Sequence, residues 1–197
     1  MKLTIISGRS GSGKSTVLHI LEDRGYYCID NLPASLLPAL ADRISHGDTH
    51  LPNVAVSIDA RNISADLQQA PEIISELQAR ELFTEIIFLD ANSQTLLKRF
   101  SESRRKHPLS NESTDLREAI DIESALLESI SMMANLVIDT STMSLHQLRD
   151  LVKNRLFESS ETNMALLFES FGFKNGVPVD ADLVYDVRCL PNPYWDT

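Results

Sequence analysis

The segment Gly8–Ser15, which reads GRSGSGKS, is the part of the chain whose residue types and spacing indicate a definite chemistry. It fits the pattern G-x-x-x-x-G-K-[ST] at every fixed position, and the apolar run Leu3–Ile6 precedes it. Glycines let a backbone turn tightly and direct successive N–H groups at phosphate oxygens. The helix that follows such a loop adds the positive end of its dipole. The segment, here called the phosphate loop, therefore predicts a site for a nucleoside triphosphate.

Every residue of the phosphate loop is a predicted nucleotide-binding residue: Gly8, Arg9, Ser10, Gly11, Ser12, Gly13, Lys14 and Ser15. The Lys14 ammonium group is expected to reach the β- and γ-phosphates and to act in catalysis, and the Ser15 hydroxyl is expected to ligate Mg²⁺. The alternative is a glycine- and serine-rich turn that binds nothing. The strand-like run before the motif and the helical pattern after it favour the phosphate site.

Four apolar runs end at an aspartate, and these aspartates are candidates for the rest of the site: Asp30, Asp59, Asp90 and Asp139. In open parallel sheets, ligands bind at the carboxyl ends of the strands. Asp90 follows the run Ile86–Leu89 and is predicted to act in catalysis and to ligate Mg²⁺. Asp30 is a second predicted catalytic residue, placed where it can contact a substrate or a metal. For any one of these aspartates, helix capping is an equally good interpretation.

The tetrapeptide Asp59-Ala60-Arg61-Asn62 places a carboxylate, a guanidinium and an amide directly after a buried strand. Such a set can read the edge of a base or hold a second phosphate. A surface turn is the alternative interpretation.

A basic segment stands out in an otherwise acidic chain. It comprises Arg99, Arg104, Arg105, Lys106 and His107, and Pro108 ends it. In small P-loop kinases a segment at this place is a lid whose arginines supply charge during phosphoryl transfer, so Arg104 and Arg105 are predicted catalytic residues. A solvated helix face and a docking patch for RNA phosphates are the alternatives.

The elements that must position these residues alternate along the chain. Strand-like runs occur at Leu3–Ile6, Tyr26–Ile29, Val54–Ile58, Glu85–Leu89 and Leu136–Ile138, and helical patterns at 14–24, 93–105, 115–133 and 145–157. Gly25 is expected to end the first helix, and Ser144 with Gln147 to form a capping box for the last. The alternation predicts an α/β fold, a P-loop NTPase or kinase-like three-layer sandwich. Its central parallel sheet would have about five strands, with helices on both faces.

The domain organisation follows from a polar stretch at residues 158–163, which is typical of a linker. Residues 1–158 are predicted to form the nucleotide-binding domain. Two further strands are expected at 164–173 and 183–190, within a segment too short to bury its own core. Residues 159–197 are therefore predicted to be a linker and the start of an incomplete C-terminal domain.

Composition narrows the class of protein. The 197 residues include 28 acidic and 18 basic side chains, giving a formal charge of −10, so the overall charge does not favour nucleic-acid binding. Cys28 and Cys189 are far apart, which excludes a disulfide framework or a zinc site built on cysteine pairs. Neither a secretory leader nor an apolar run of about 18 residues is evident, so we expect a cytoplasmic protein without a membrane partner.

Several longer motifs point to one family. They are the phosphate loop, YYCIDNLP at 26–33, SIDARN at 57–62, FLDA at 88–91, RRKHPL at 104–109, VIDTS at 137–141 and FESFGFKNGVPVDADLVYDVRCLPNPYWD at 168–196. Together they closely resemble the RapZ/YvcJ family of bacterial nucleotide-binding proteins, in the same order and over essentially the whole chain.

The resemblance implies a protein that binds ATP and GTP with Mg²⁺ and hydrolyses them weakly at most. It assigns ATP to Gly8–Ser15 and GTP to the stretch Asp59, Ala60, Arg61 and Asn62. It also implies a homo-oligomeric RNase adapter that presents a small regulatory RNA to an endoribonuclease, tunes amino-sugar synthesis and senses an amino-sugar phosphate. The family continues past residue 196, and its RNA-binding character is expected mostly there. A small-molecule kinase that uses the phosphate loop and an arginine lid remains the alternative.

Overall fold

A computed structural model describes residues 2–45, 53–62, 64–80, 83–157, 172–175 and 183–190. The chain divides into two compact units, Met1–Glu158 and Ser159–Thr197. Each unit is described by itself below.

The first unit is built on a five-stranded parallel sheet. Its strands are β1 (Lys2–Gly8), β2 (Tyr27–Ile29), β3 (Asn53–Ile58), β4 (Phe83–Asp90) and β5 (Leu136–Asp139). They lie in the order β2-β3-β1-β4-β5, so β1 is central and pairs with β3 on one side and β4 on the other. All four pairings are parallel, which brings the carboxyl ends of the strands to one edge of the sheet.

The described ranges contain six α-helices, of which five lie between strands and the last follows β5. They are α1 (Lys14–Glu22), α2 (Leu37–Ser45), α3 (Ser64–Gln78), α4 (Ser93–Ser103), α5 (Leu116–Met132) and α6 (Leu145–Leu156), and a short 3₁₀ helix at Ala34–Leu36 precedes α2. The predicted capping box of Ser144 and Gln147 is present at the start of α6. Alternating strands and helices around a parallel sheet confirm the predicted α/β P-loop fold.

The helices cover both faces of the sheet, as a buried parallel sheet requires. Helices α1 and α6 pack on one face, where Leu21 and Val152 join a core with Ile6 and Ile87 of the sheet. Helices α2, α3 and α5 share the core on the other face. Each face is sealed by apolar contacts, so the polar carboxyl edge of the sheet is where chemistry can take place.

Helices α2 and α3 were not among the sequence predictions, which named no helix between the second and third strands or between the third and fourth strands. Pro38 lies in the first turn of α2, where a missing N–H costs little. Pro71 lies inside α3, where a proline usually breaks a helix. Packing of Leu67, Ile74 and Leu77 against the sheet outweighs this local preference.

Two helices also end two residues before their predicted ends. Helix α1 ends at Glu22, with Asp23 as its C-cap, and the left-handed Gly25 lies beyond that cap. Helix α4 ends at Ser103 because Arg104 adopts a left-handed conformation with φ of 51°. The basic segment therefore leaves the helix at Arg104.

In the second unit the predicted strand at 183–190 is wrong. Val187–Cys189 forms a 3₁₀ turn, and Leu183–Asp186 has no strand pairing in the described part of the chain. The Asp186 carboxylate caps the turn by accepting hydrogen bonds from the backbone N–H and the guanidinium of Arg188. Most of the other predicted strand, 164–173, lies outside the described residues, apart from a 3₁₀ turn at Phe173–Asn175.

Among the helices in the described ranges, none is long and apolar enough to cross a bilayer.

Candidate functional site

The phosphate loop begins where β1 ends, and its glycines are required by its backbone. Gly8 has φ of 141°, and a Cβ placed on it would lie 2.0 Å from the carbonyl oxygen of Leu89 on β4. Gly13 has φ of 112°, and its Cβ would lie 2.7 Å from the Leu148 side chain on α6. Neither site admits a side chain without moving its neighbour. The loop is thus held close to both β4 and α6.

Lys14 is the centre of the phosphate loop. Its Nζ is buried and donates hydrogen bonds to the carbonyl oxygens of Gly8, at 2.7 Å, and Arg9, at 3.2 Å. Burial lowers the pKa of Lys14, while the negative charges of Asp59 and Glu123 oppose that effect. The loop therefore wraps around a cation.

The loop fits an anionic group at its far end as well. Helix α1 begins at Lys14, and its N-cap Gly13 supplies no side-chain hydrogen bond to the first turn. The buried Ser12 hydroxyl has no hydrogen-bond partner among the described residues. Unsatisfied donors at a helix N-terminus are the groups that bind phosphate. Residues Gly8–Ser15 thus fit the phosphates of a nucleotide.

Beside the loop, Arg61 joins the carboxylates that end β2 and β3. Its Nη2 donates to Asp59 Oδ2 at 2.8 Å and to Asp30 Oδ1 at 3.0 Å. Asp59 Oδ2 also lies 3.9 Å from Lys14 Nζ. Burial raises the pKa of Asp59, but hydrogen bonds from Arg61 and the charge of Lys14 outweigh this, so that pKa lies below its ordinary value. The same hydrogen bonds raise the pKa of Arg61. All three predicted residues are thus brought to the side of Lys14.

Asn62 fixes this corner through its side-chain amide. It donates to Asn31 Oδ1 at 2.9 Å and accepts from the Ala34 N–H at 3.0 Å. Ala60 is buried within the turn. The stretch 59–62 is therefore anchored to the segment after β2. Arg61 and the neighbouring Asp30 are the solvent-facing groups of this corner.

Asp90 has a different partner. Its Oδ1 accepts from Arg9 Nε at 2.6 Å and from the Ala91 N–H at 2.8 Å. Arg9 Nη2 donates to the carbonyl oxygen of Ala91 as well. One Asp90 oxygen is therefore occupied by the loop's own arginine, whereas Asp59 is the carboxylate next to Lys14. Among the described residues, no hydrogen bond joins Asp90 to Ser15.

The basic segment divides into two parts. Arg99 on α4 donates to the Gly11 carbonyl at 2.9 Å, and it binds both the hydroxyl and the carbonyl of Thr140, at 3.0 Å and 2.6 Å. Arg104 and Arg105 are exposed and make no hydrogen bond to another described residue. Arg99 is therefore fixed to the phosphate loop, while the two predicted catalytic arginines point into solvent.

A cavity of about 310 Å³ opens directly onto residues 11–13 of the loop. Arg99 and Thr140 form its polar side, and Met143, Leu145 and Leu148 form its apolar side. Apolar walls with a few polar groups are typical of a pocket for a planar ring. Thr140 also donates to the Ser12 carbonyl at 2.9 Å, so it links the cavity wall to the loop.

A larger cavity of about 560 Å³ lies between β4 and α5. Arg9 lines it together with the three carboxylates of Asp90, Asp121 and Glu128. This surplus of negative charge repels phosphate, so the smaller cavity is the better match to a nucleotide.

Sequence reasoning missed Glu123 of α5, which is fully buried against the loop. Its carboxylate accepts from the Ser10 N–H at 2.8 Å and the Ser10 hydroxyl at 2.7 Å. The signal was present in the sequence, because Glu123 falls on the same helical stripe as Ile120, Leu127 and Ile130. A carboxylate on an apolar stripe needs a buried partner, and the loop supplies it.

Across the described ranges, no group of three or more His, Cys, Asp or Glu residues is placed to hold a metal ion. A magnesium ion in a nucleotide site needs few protein ligands, because phosphate oxygens and water supply the rest. The exposed Ser15 hydroxyl and one strand-end carboxylate are suited to that limited role.

Comparison with known proteins identifies relatives over the whole chain. Residues 1–160 match the RapZ-like N-terminal domain, and residues 164–197 match the RapZ C-terminal domain. A nucleotide-binding protein of Hahella chejuensis is 61% identical over 198 residues, covering 100% of this chain and 69% of the relative. One from Stutzerimonas stutzeri is 59% identical over 196 residues, covering 99% and 69%.

Among solved structures, an unliganded sugar kinase from Janibacter sp. superposes with a TM-score of 0.51 at 18% identity, covering 80% of this chain and 92% of the kinase. At that identity the similarity shows the fold alone.

Proposed function

Because the chain belongs to the RapZ family, we propose that its first unit binds a nucleoside triphosphate, with the phosphates in the loop Gly8–Ser15. The observation that carries this proposal is the buried Lys14 ammonium group, held by two carbonyl oxygens inside a loop whose helix N-terminus has no side-chain cap. ATP and GTP are the proposed nucleotides. The relatives' description as nucleotide-binding proteins supports the binding of a nucleotide, and the choice of ATP and GTP rests on the family resemblance.

The base is proposed to enter the 310 Å³ cavity beside residues 11–13. Arg99 can lie along one side of the ring, because its guanidinium is already fixed by Gly11 and Thr140. The stretch 59–62, which the family resemblance assigns to GTP, lies on the Lys14 side. There Arg61 is the group that can meet a second phosphate or a base edge.

Magnesium is proposed to accompany the triphosphate, where it neutralises phosphate charge. Ser15 and Asp90 are its predicted ligands. Asp59 competes with Asp90 for this role, since Asp59 lies beside Lys14 whereas one Asp90 oxygen is taken by Arg9.

Turnover is proposed to be slow, and the biological role to be that of a cytoplasmic RNase adapter. In that role the full-length protein would deliver a small regulatory RNA to an endoribonuclease and so regulate amino-sugar synthesis, as a homo-oligomer. Family membership supports this role, and with a net charge of −10 an RNA contact would need a local basic patch. The division into a nucleotide domain at 1–158 and a segment at 159–197 of a C-terminal domain belongs to the same proposal.

A small-molecule kinase is the second candidate function. The half-exposed Asp30 favours it, because Arg61 and the Ser57 hydroxyl hold this carboxylate at the carboxyl edge of the sheet, where an acceptor hydroxyl can reach it. Arg104 and Arg105 would then close over the phosphates as a lid.

One experiment separates the two functions. The protein is incubated with Mg²⁺ and γ-labelled ATP or GTP, with and without a small-molecule cell extract, and Lys14→Ala serves as the blank. Slow release of inorganic phosphate that the extract does not change supports the adapter. Label on an extract metabolite identifies a kinase. Equal signals from the wild type and Lys14→Ala would contradict both.

A further inference from the structure

Glu123 stands outside the nucleotide site as proposed above, yet it binds the phosphate loop with both carboxylate oxygens. Oε1 accepts from the Ser10 hydroxyl and Oε2 from the Ser10 N–H. A fully buried carboxylate is costly unless hydrogen bonds replace its water. Its partner Ser10 lies two residues after Gly8, in a loop built for anions, so the contact calls for a role that an apolar side chain could not fill.

The second partner of Glu123 is the buried His107, which directly follows Arg104, Arg105 and Lys106. His107 Nε2 lies 3.1 Å from Glu123 Oε2. The Leu109 N–H donates to His107 Nδ1 at 3.2 Å, so Nε2 carries the hydrogen and donates it to Glu123. Oε2 therefore accepts from the loop and from the basic segment at once.

Neighbouring contacts restrict both partners. The centroid of the His107 ring lies 5.0 Å from that of the Phe100 ring of α4. The backbone carbonyl of His107 accepts a hydrogen bond from the Ser110 N–H at 3.0 Å. Phe100 also lies beneath the loop, since a Cβ on Gly11 would contact its ring at 3.5 Å. The end of the basic segment and the start of the loop are thus packed into one buried cluster.

We propose that Glu123 is a positioning residue that couples the phosphate loop to Arg104, Arg105 and Lys106 of the basic segment. The inference rests on the proposed nucleotide binding. Bound phosphate adjusts the loop at Ser10, and the shared Oε2 passes this change to His107, which sets the direction of Arg104 and Arg105. Both arginines are exposed and make no hydrogen bonds in the described part of the chain, so they are available to move over the phosphates.

The charge of Glu123 serves the same arrangement. It acts on Lys14 in the direction that raises the pKa of this buried amine and so favours the charged form. A glutamine at this position has one acceptor oxygen and presents an NH₂ group to a donor on Ser10 or His107. Glu123→Gln therefore breaks one side of the connection at nearly constant volume.

Limited trypsin digestion measures the coupling, because trypsin cleaves after Arg104, Arg105 and Lys106. Binding of a non-hydrolysable ATP analogue with Mg²⁺ is first measured by calorimetry for each variant of the full chain. At saturating analogue, cleavage of the wild type at these bonds is expected to slow about fivefold or more. Glu123→Gln, at an analogue concentration that saturates this variant, is expected to lose this protection. The exposed Glu128→Gln on the same helix should keep it.

The outcomes separate this inference from the proposed function. If the wild type shows no binding in calorimetry, the proposed function is wrong. If it binds but gains no protection, or if Glu123→Gln is protected as well as the wild type, the coupling is wrong. Should Glu123→Gln fail to fold, Ser10→Ala makes the same test, because it removes one of the two Ser10 bonds from the loop. Reduced protection supports the inference, and full protection overturns it.

Discussion

The Lys14 ammonium group lies 3.9 Å from the Asp59 carboxylate, where the adjacent strands β1 and β3 end. Both groups are buried and paired. Arg61 donates a hydrogen bond to Asp59, and Lys14 donates one to a carbonyl oxygen of the loop. Lys14 is thus held in place by partners that a triphosphate can replace with phosphate oxygens. Preorganisation of this kind lowers the cost of ordering the lysine when the ligand binds.

Replacement of Lys14 tests the phosphate loop directly. Lys14→Ala is expected to weaken triphosphate binding about 100-fold, because a buried cation that meets phosphate is lost. Calorimetry measures the affinity, and circular dichroism checks that the fold is intact. The matched control is Lys98→Ala, which replaces an exposed lysine of α4 and should bind as the wild type does. Unchanged affinity in Lys14→Ala would mean that phosphate binds elsewhere.

Arg61 tests the proposed role of residues 59–62 in nucleotide choice. Arg61→Ala is expected to change the ratio of GTP to ATP affinity about tenfold, the usual effect of one hydrogen bond from a charged group. Competition between the two nucleotides measures this ratio. Arg80→Ala removes another exposed ion pair, with Asp42, and should leave the ratio unchanged. An unaltered ratio in Arg61→Ala would refute the base-reading role.

Arg99 tests the location of the base. Arg99→Ala should weaken ATP binding about tenfold, since the variant loses the guanidinium on the cavity wall and the hydrogen bond to Gly11. Inorganic triphosphate, which has no base, should lose less. Comparison of the two ligands by calorimetry isolates the part that belongs to the base. Equal losses would place the base outside this cavity.

Gly8 tests the backbone of the loop. Gly8→Ala is expected to destabilise the protein by about 3 kcal/mol or more, because its Cβ would overlap the Leu89 carbonyl in a left-handed backbone. Gly25→Ala is the control, since Gly25 also has positive φ, at 82°, but has open space around it. It should cost about 1 kcal/mol. Urea denaturation measures both, and similar losses would show that the contact with Leu89 is unimportant.

The lowered pKa of Asp59 predicts that the stability of the protein depends on pH. Its pKa in the folded protein lies below the ordinary value, so the folded state binds fewer protons than the unfolded chain in acid. The stabilisation is therefore complete above the unfolded pKa of about 3.9 and is lost as pH falls through the lower folded value.

Asp59→Asn should accordingly be less stable than the wild type at pH 7 by about 2 kcal/mol, and the difference should shrink below about pH 4. Denaturant midpoints from pH 7 to pH 2 measure this difference. A difference that stays constant with pH would mean that the Asp59 charge does not stabilise the fold.

Local patterns predicted the sheet strands and the phosphate loop because each depends on neighbours in the sequence. The order of the strands in the sheet does not depend on neighbours in the sequence. The order β2-β3-β1-β4-β5 is what brings Asp30, Asp59 and Lys14 together. Helices α2 and α3 escaped prediction because Pro38 and Pro71 obscure helical patterns whose stability comes from packing.

The different positions of the arginines could not be predicted from the sequence either. Arg99 and Arg104 are similar in sequence context, but one faces the loop and the other begins a left-handed turn. The residue at which α4 ends determines which arginine faces the loop and which lies beyond the helix. Glu123, by contrast, could be recognised from the sequence as a charged residue on an apolar helical stripe. Its pairing with Ser10 could not be predicted in the same way.

The edges of the sheet carry a consequence for assembly. The outermost strands are its shortest, with three residues in β2 and four in β5, whereas the central β1 has seven. A short edge offers few unpaired backbone groups on which a second chain could add a strand. The five-stranded sheet of the first unit should therefore resist fibre-like association through its edges.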